Sequence, residues 1–263
     1  MANDVQRIDA ARRFVRGARL PQPRVRRSGG DDEPVAEVAL QTGQQQAAVV
    51  GSGIVSFAAG VPAEWRADLM NSALLAQLVA KQQVPQPERL FEWYDAYFDT
   101  LAQLGWAVQD RGFAIYVEQG QSFAAHEAIL KIAATALAPA AGALELVKTT
   151  LDSLRSMEAD SPWLTLFAQE SRQAQAARFQ VSVAEQASER AVSMSLLAFG
   201  LEARASMTQV LFFKAMANQV TLRHCSGRMS VDMSLLEAIR GDLQGQLVGH
   251  AKDFIRTLPK LQR

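Results

Sequence analysis

The sequence predicts an α+β fold, with N-terminal helices and a C-terminal antiparallel sheet meander that ends in one long helix. Between residues 62 and 157, apolar side chains recur at three- and four-residue steps, the spacing of helices that bury one face. After residue 178, apolar and polar side chains alternate, which is typical of half-buried strands. Because the helices precede the strands instead of alternating with them, the order favours α+β over a doubly wound parallel sheet.

The composition is that of a globular protein, but its charge is unevenly distributed. Hydrophobic residues make up 49% of the 263 residues, and the formal net charge is zero, which argues against nucleic acid as a partner. Residues 1–30 nevertheless contain eight arginines against two aspartates. We therefore predict a disordered basic and polar arm over residues 1–48 and a single α+β domain over residues 49–263. Within the arm, Arg12, Arg13 and Arg16 are candidates for contact with an anionic membrane.

The helical part divides at proline and glycine residues. Pro62 suits the first turn of a helix that ends near residue 83, and a second helix is predicted from about Glu88 to Leu104 with Gly105 as its C′ residue. Two helices rich in alanine and leucine, over residues 123–137 and 141–157, form a hairpin around Pro139. A short helix follows, with Ser161 as its N-cap and Pro162 as its first residue.

The strands are predicted from residue alternation. The four runs of the meander cover residues 179–183, 192–196, 210–214 and 220–222. Residues 106–117 also alternate, with a bulge or turn at Arg111-Gly112. The last run continues toward Cys225 and a predicted turn at Gly227, after which an amphipathic helix is predicted from about Ser230 to Leu258.

Cys225 is the chain's single cysteine, which excludes an intrachain disulfide and any zinc site built from several cysteines. It leaves three hypotheses: a small buried hydrophobe, a catalytic nucleophile, or the attachment point of an acyl chain. On a regular strand, Cys225 shares a face with Arg223 and lies opposite Val220 and Leu222. We therefore expect its thiol to face away from the Val/Leu face, where it is either open to modification or covered by the C-terminal helix.

Other catalytic and ligand-binding motifs are missing from the sequence. His126, His224 and His250 are far apart and belong to no paired ligand motif, so no metal site is predicted. Neighbouring residues on a strand point to opposite faces, so His224 cannot contact Cys225 as its base unless the turn has already begun there. His126 or His250 could be the base, but nothing in the sequence places either one. The spacing of Arg228 from Cys225 does not fit a cysteine phosphatase loop, and no glycine-rich phosphate loop occurs. No cofactor is predicted from these motifs.

Two apolar features have both a structural and a membrane interpretation. The aromatic residues Trp93, Tyr97 and Trp106 are typical of a helix core, and they also suit a membrane interface where a ring is half wet. The Ala/Leu-rich hairpin is expected to pack on the sheet, and entry into a bilayer is the alternative.

Several segments resemble the Evf-type virulence factor family. These are RADLMNSALLAQLVA at residues 66–80, EWYDAYFDTLAQLGW at residues 92–106, LFFK at residues 211–214, and the final helix. The similarity runs from about Val55 to Leu258 and does not cover the basic arm. It implies a bacterial protein with an unusual α+β fold, which carries palmitate as a thioester on a late cysteine and associates with anionic membranes. Cys225 is the residue that matches this cysteine.

The resemblance leads to a functional hypothesis with two alternatives. We expect a non-enzymatic, membrane-associating virulence or toxin-like factor, S-acylated at Cys225, with an anionic phospholipid membrane and a fatty acyl chain as partners. It would lie in the bacterial cytoplasm before export, and then be secreted or bound peripherally to a membrane; no secretory signal is visible. The alternatives are a cysteine-dependent acyltransferase or thioesterase, and a pore-forming protein that uses the Ala-rich hairpin.

Overall fold

The computed structural model confirms the α+β class. It describes residues 2–23, 39–86, 89–109, 114–116, 123–138, 140–173, 176–203, 211–212, 214–215, 220–259 and 261. The helices in this part of the chain are α1 Ala2–Gly17, α2 Ala63–Gln83, α3 Leu90–Gln103, α4 Ala125–Ala136, α5 Ala141–Arg155, α6 Pro162–Ser171, α7 Met233–Leu247 and α8 Ala251–Phe254. The strands are β1 Gln46–Val50, β2 Gly53–Phe57, β3 Trp106–Gln109, β4 Ala114–Tyr116, β5 Phe123–Ala124, β6 Arg172–Gln173, β7 Ala176–Ser188, β8 Ala191–Ala203, β9 Lys214–Ala215, β10 Val220–Asp232 and β11 Ile255–Thr257.

A mixed sheet occupies the middle of the fold. Its strand order is β11-β1-β2-β7-β8-β10-β3, with β4 paired to β10 and β6 paired to β7 outside this path. Strands β7, β8 and β10 are each 13 residues long and run antiparallel to their neighbours in this group. They contain three of the four predicted strands of the meander. In the fourth run, residues 211 and 212 form a turn where a strand was predicted, and Lys214 begins the short strand β9, which pairs with β5. Residues 210 and 213 lie outside the described residues.

Two helical layers cover the two faces of the sheet. The first layer consists of α1, α2, α3 and α7, and the second layer consists of α4, α5 and α6. Alternation along β7 assigns the faces, because Phe179, Val181 and Val183 pack with the second layer whereas Ala184 packs with the first. Each layer therefore has its own hydrophobic core, with the sheet between them.

The predicted helices between residues 62 and 171 are confirmed. Helix α2 begins directly after Pro62, and α3 ends before Gly105, whose φ of +91° is the left-handed conformation expected at C′. Pro162 lies in the first turn of α6, although the Ser161 hydroxyl does not cap that helix. The predicted bulge or turn at Arg111-Gly112 and the hairpin residue Pro139 lie outside the described residues.

The N-terminal arm differs from the prediction of disorder over residues 1–48. Residues 2–17 form α1, whose Ala11 and Val15 are buried in the core of the first layer. The residues after 38 are also tied to the domain, because the Gln46 side chain binds the backbone of Ala39 and Gln41. Apolar side chains at helical spacing therefore order the start of the chain despite its charge.

The C-terminal segment is not one long helix. Strand β10 continues through Gly227, where a turn was predicted, and pairs with β8 in unbroken register as far as Asp232. The Asp232 carboxylate then caps α7 by accepting a hydrogen bond from the backbone N–H of Ser234 at 2.9 Å. After α7 the chain turns and returns to the sheet as β11, which pairs with β1. Pairing with β1 satisfies backbone groups that a continued helix would leave at the edge of the sheet.

Candidate functional site

Cys225 lies on β10, directly opposite Ala198 of β8, on the face of the sheet that the first layer covers. Leu222 packs with the second layer, so the expected parity of the thiol is confirmed. The side chain is only 3% exposed. Of the two environments that the sequence left open, the structure therefore shows the covered one, in the first-layer core that includes α7.

Several of the residues next to Cys225 on this face of the sheet are small. Ala198 is its register partner, Gly200 lies two residues further along β8, and Gly227 lies two residues beyond the cysteine. Helix α3 comes close to the strands here, because a Cβ atom on Gly200 would lie 2.1 Å from Cδ2 of Leu90. Small residues in the sheet thus make room for the large side chains of α3, and a cysteine fits this pattern as a small hydrophobe.

The covered position leads to a prediction about thiol reactivity. We expect Cys225 in the native protein to react with a maleimide at least about 100-fold more slowly than in urea, because a core position opens only together with a sizeable part of the fold. Mass spectrometry of the labelled protein over time measures the two rates. Equal rates would contradict the burial described above.

The predicted membrane-contact aromatics Trp93, Tyr97 and Trp106 are all buried in the first layer. The rings of Trp93 and Tyr97 stack with centroids 5.6 Å apart, and the Tyr94 hydroxyl lies 2.9 Å from the backbone oxygens of Phe179 and Phe199. Burial raises the pKa of both tyrosines well above the ordinary value. Lipid can reach these rings only if the first layer separates from the sheet.

The three candidate arginines lie on α1. Nη2 of Arg12 donates to the backbone oxygen of Ala238, and Nε of Arg16 donates to Asp242 at 2.7 Å, so both are tied to α7. Arg13 is exposed. Exposed ion pairs contribute about 1 kcal/mol at most, so an anionic membrane surface can compete for these side chains.

A polar cavity that the sequence did not indicate lies at one end of the sheet. Gln77 of α2 organises it: its amide oxygen accepts from the backbone N–H and the hydroxyl of Ser52, and its amide nitrogen donates to Val50. The guanidinium of Arg178 lies 4.9 Å from the centroid of the Trp93 ring. The lining residues are Ser52, Leu74, Gln77, Leu78, Lys81, Trp93, Glu170, Arg178 and Phe254. A signal for this site was the presence of a glutamine on the buried stripe of α2.

The volume of this cavity is about 20 Å³, enough for roughly one water molecule. Pockets that bury a ligand of drug size measure roughly 300–1,000 Å³. Cys225 does not line the cavity. The cavity therefore does not provide the apolar tunnel that the acyl hypothesis invokes.

The histidines lie on three separate elements, α4, β10 and the turn before α8. His224 and Cys225 are adjacent on a strand in continuous register, so their side chains point to opposite faces. Burial lowers the pKa of His126, His224 and His250 alike. Among the described residues, no group of three or more His, Cys, Asp or Glu side chains is arranged to hold a metal ion.

The Ala/Leu-rich hairpin, now α4 and α5, packs on the sheet as expected. Its buried residues Ala128, Ile129, Ile132, Ala133, Ala143, Leu146, Val147, Leu151 and Leu154 belong to the core of the second layer. The hydroxyls of Ser56 on β2 and Thr150 on α5 lie 2.9 Å apart and form a hydrogen bond between sheet and hairpin. None of the described helices is both long and apolar enough to cross a bilayer.

Comparison with known proteins yields only remote likenesses. No family model and no curated protein matches the sequence. Among solved structures, a delta-endotoxin is similar over 81% of this chain and 91% of its own, with 14% identity and a TM-score of 0.33. The activated Cyt2Ba monomer from Bacillus thuringiensis subsp. israelensis is similar over 64% of this chain and 91% of its own, with 12% identity and a TM-score of 0.28.

The Evf virulence factor is also among these structural neighbours. It is similar over 80% of this chain and 85% of its own, with 9% identity and a TM-score of 0.32. At this level the likeness does not establish membership in the Evf-type family that the sequence resembles.

Proposed function

We propose that this chain is a membrane-associating, toxin-like virulence factor whose α4–α5 hairpin leaves the sheet to contact an anionic membrane. The observation that supports this proposal is the different attachment of the two helical layers. The first layer is held by a network of polar and charged contacts, whereas the hairpin is held mainly by apolar side chains.

Polar contacts fix the first layer at several points. Arg66 of α2 donates four hydrogen bonds to the segments on either side of β1 and β2. Asp68 of α2 and Arg240 of α7 form a two-point ion pair with distances of 2.8 and 2.6 Å. The indole nitrogen of Trp65 donates to Glu237 on α7. The contacts of Asp68 and Trp65 join α2 to α7 within the layer. Separating the layer from the sheet would break the hydrogen bonds of Arg66, at a cost of about 1–3 kcal/mol for each buried group left unpaired.

The hairpin is attached differently. In the part of the chain that the structure describes, its side-chain hydrogen bond to the sheet is the contact between Ser56 and Thr150. Most of the side chains that it buries are apolar, and lipid tails are as apolar as the leucine and isoleucine side chains among them. Both helices carry an apolar face and a charged face, as helices that lie in a membrane interface do. A membrane can therefore replace the sheet as the partner of the hairpin, provided that lipid also covers the apolar sheet face that the hairpin leaves.

Exposed arginines and an acyl chain complete the proposal. Arg7, Arg13 and Arg19 are exposed on and after α1, and each contributes about 1 kcal/mol near an anionic surface. A fatty acyl chain on Cys225 would add roughly 0.8 kcal/mol for each CH₂ group that enters the lipid. Because Cys225 is covered by the first layer, acylation requires that layer to be open when the thioester forms. The intact mass of the protein from its native host, before and after hydroxylamine, tests the acyl component: a mass equal to that of the bare polypeptide would contradict it.

A disulfide between sheet and hairpin tests the main proposal. Replacing Ser56 and Thr150 with cysteines places two thiols where the hydroxyls are now 2.9 Å apart, close enough to form a bond. We expect the oxidised protein to release at least about tenfold less dye from phosphatidylserine-containing vesicles than the reduced protein, because the hairpin can no longer leave the sheet. Cys225 can stay in place, since it faces the opposite layer.

The controls separate locking from damage to the fold. Ser56→Cys alone, treated with the same oxidant, should release dye as the reduced pair does. Circular dichroism of the oxidised pair should match that of the wild type. If the oxidised pair releases as much dye as the reduced pair, or if the wild-type protein leaves the vesicles intact, the proposed role of the hairpin is wrong.

A further inference from the structure

We propose that acidification releases the α4–α5 hairpin from the sheet by protonating His126, with His224 adding to the effect. This inference deepens the function proposed above and depends on it for its biological purpose. The acid response itself is a property of the fold, and it can be measured without a membrane.

His126 lies in the first turn of α4, directly after β5. It is 8% exposed, and its Nε2 has no hydrogen-bond partner among the described residues. The Phe212 ring packs against it with a centroid distance of 5.7 Å. The nearest carboxylate is Asp152 of α5, at 3.9 Å, and it is mostly exposed to solvent. A proton on Nε2 would therefore lie in a buried position beside an aromatic ring, with the solvent-exposed carboxylate of Asp152 as its counter-charge.

The charged groups around His126 come from both helices of the hairpin. Burial lowers its pKa most, and Arg155 of α5 acts in the same direction. The carboxylates of Asp152 and Glu127 raise the pKa, but the net direction is downward. The closed hairpin therefore disfavours the charged imidazole, whereas an open hairpin would expose it to water.

His224 repeats this situation on the sheet. It shares the second-layer face of β10 with Leu222, and its Nδ1 is buried without a hydrogen-bond partner in the described part of the chain. Burial lowers its pKa. A buried imidazole thus lies on the hairpin and a half-buried one on the second-layer face of the sheet.

The direction of the pH effect follows from these lowered pKa values. An exposed histidine titrates near pH 6.5. Above that pH both the closed and the open states are neutral at these sites, and the closed state keeps its full stability. Below it, the open state binds protons that the closed state resists, so opening becomes easier until the lowered pKa values are reached.

The corresponding contact in the first layer responds in the opposite direction. Burial raises the pKa of Asp68, although its partner Arg240 opposes this, and Glu237 and Glu64 raise it further. The closed state of that contact therefore binds a proton more readily than an open state would, and acid does not loosen it. Acidification should thus not open the first layer through this contact.

Hydrogen–deuterium exchange of the full-length protein at pH 7.5, 6.5 and 5.5 tests this inference. After correction for the chemical exchange rate, we expect opening of α4 and α5 to increase by about tenfold between pH 6.5 and 5.5 for each proton taken up, and by less where uptake is partial. Exchange of α2 and of β8 should not increase in parallel. In His126→Gln/His224→Gln the increase should disappear.

His250→Gln is the matched control, because His250 is also buried but lies outside the hairpin, next to α8. That variant should keep the full acid response of α4 and α5. If the double variant does not fold, the inference is tested by His126→Gln alone, in which the increase should be smaller. It is also tested in the wild type, where the increase should be confined to α4 and α5. The inference is overturned if α4 and α5 show no increase, if the double variant retains it, or if every element opens together.

The outcomes also separate this inference from the proposed function. An acid response in solution would support the switch. If vesicle leakage is then the same with and without the disulfide at positions 56 and 150, the membrane role of the hairpin is refuted. Leakage that depends on the disulfide but is the same at every pH, with unchanged exchange in the hairpin, would support the membrane role and refute the switch.

Discussion

Arg66→Met is expected to lower the free energy of unfolding by about 3–5 kcal/mol, as measured by urea denaturation. The guanidinium is fully buried, and its donors reach the backbone oxygens of Val61, Gln44 and Ala58 and the side chain of Gln46. Methionine fills a similar volume but leaves these acceptors without their donor. Each buried acceptor left unpaired costs about 1–3 kcal/mol, and the sum is reduced because Gln44 is exposed and can bind water.

Arg66→Lys separates charge from geometry. Lysine keeps the positive charge, but its single ammonium cannot reach acceptors spread across a planar fork. We therefore expect most of the loss to remain. The matched control is Arg13→Met, which removes an exposed guanidinium and should change stability by no more than about 0.5 kcal/mol. If Arg66→Met unfolds at the same urea concentration as wild type, the network does not hold the segment around residues 39–46 to the domain.

The role of Arg66 shows where prediction from the sequence ends. The prediction of helix α2 was correct, because burial of one helix face leaves a local pattern of apolar residues. The burial of Arg66 was not predicted, since nothing local shows that its partners lie some 5 to 22 positions earlier in the chain. The same reason explains why the glutamines near residue 46 were assigned to a disordered arm. Their hydrogen bonds depend on tertiary contacts.

At the candidate site, too, local features could be predicted from the sequence and long-range contacts could not. The face of Cys225 was predictable, because alternation on a strand is local. The parallel pairing of β2 with β7 was not, since it joins residues more than 120 positions apart. The hairpin helices were predicted within a few residues, whereas the environments of His126 and His224 become visible only when the second layer is placed on the sheet.

Gly200→Val is expected to destabilise the protein by about 3 kcal/mol, because it forces α3 away from the sheet. Gly200 lies between Arg178 and Arg223 in the ladder of strands, and the first turn of α3 packs directly over it. A Cβ at this position would lie 2.1 Å from Cδ2 and 2.9 Å from Cδ1 of Leu90. Leu90 is buried, so it cannot simply rotate into solvent.

A double-mutant cycle with Leu90→Ala identifies the cause of this loss. Leu90→Ala alone should cost about 2–4 kcal/mol for the cavity it leaves. In that background the added valine has space, and valine is favoured over glycine inside a strand, so Gly200→Val should become neutral or stabilising. A change of sign between the two backgrounds, measured by urea denaturation, is the expected result. If Gly200→Val costs the same in both, the strain does not come from Leu90.

The same variants report on what covers Cys225. Its thiol faces the first layer, and its register partner Ala198 is two residues from Gly200. If α3 is the cover, lifting it with Gly200→Val should speed maleimide labelling of Cys225 by more than the loss of global stability alone predicts, and Leu90→Ala should reverse part of that gain. If the labelling rate changes in proportion to the unfolding equilibrium constant in every variant, the thiol becomes accessible only when the whole protein unfolds. Acylation of a folded chain would then have no route, and the thioester would have to form before folding is complete.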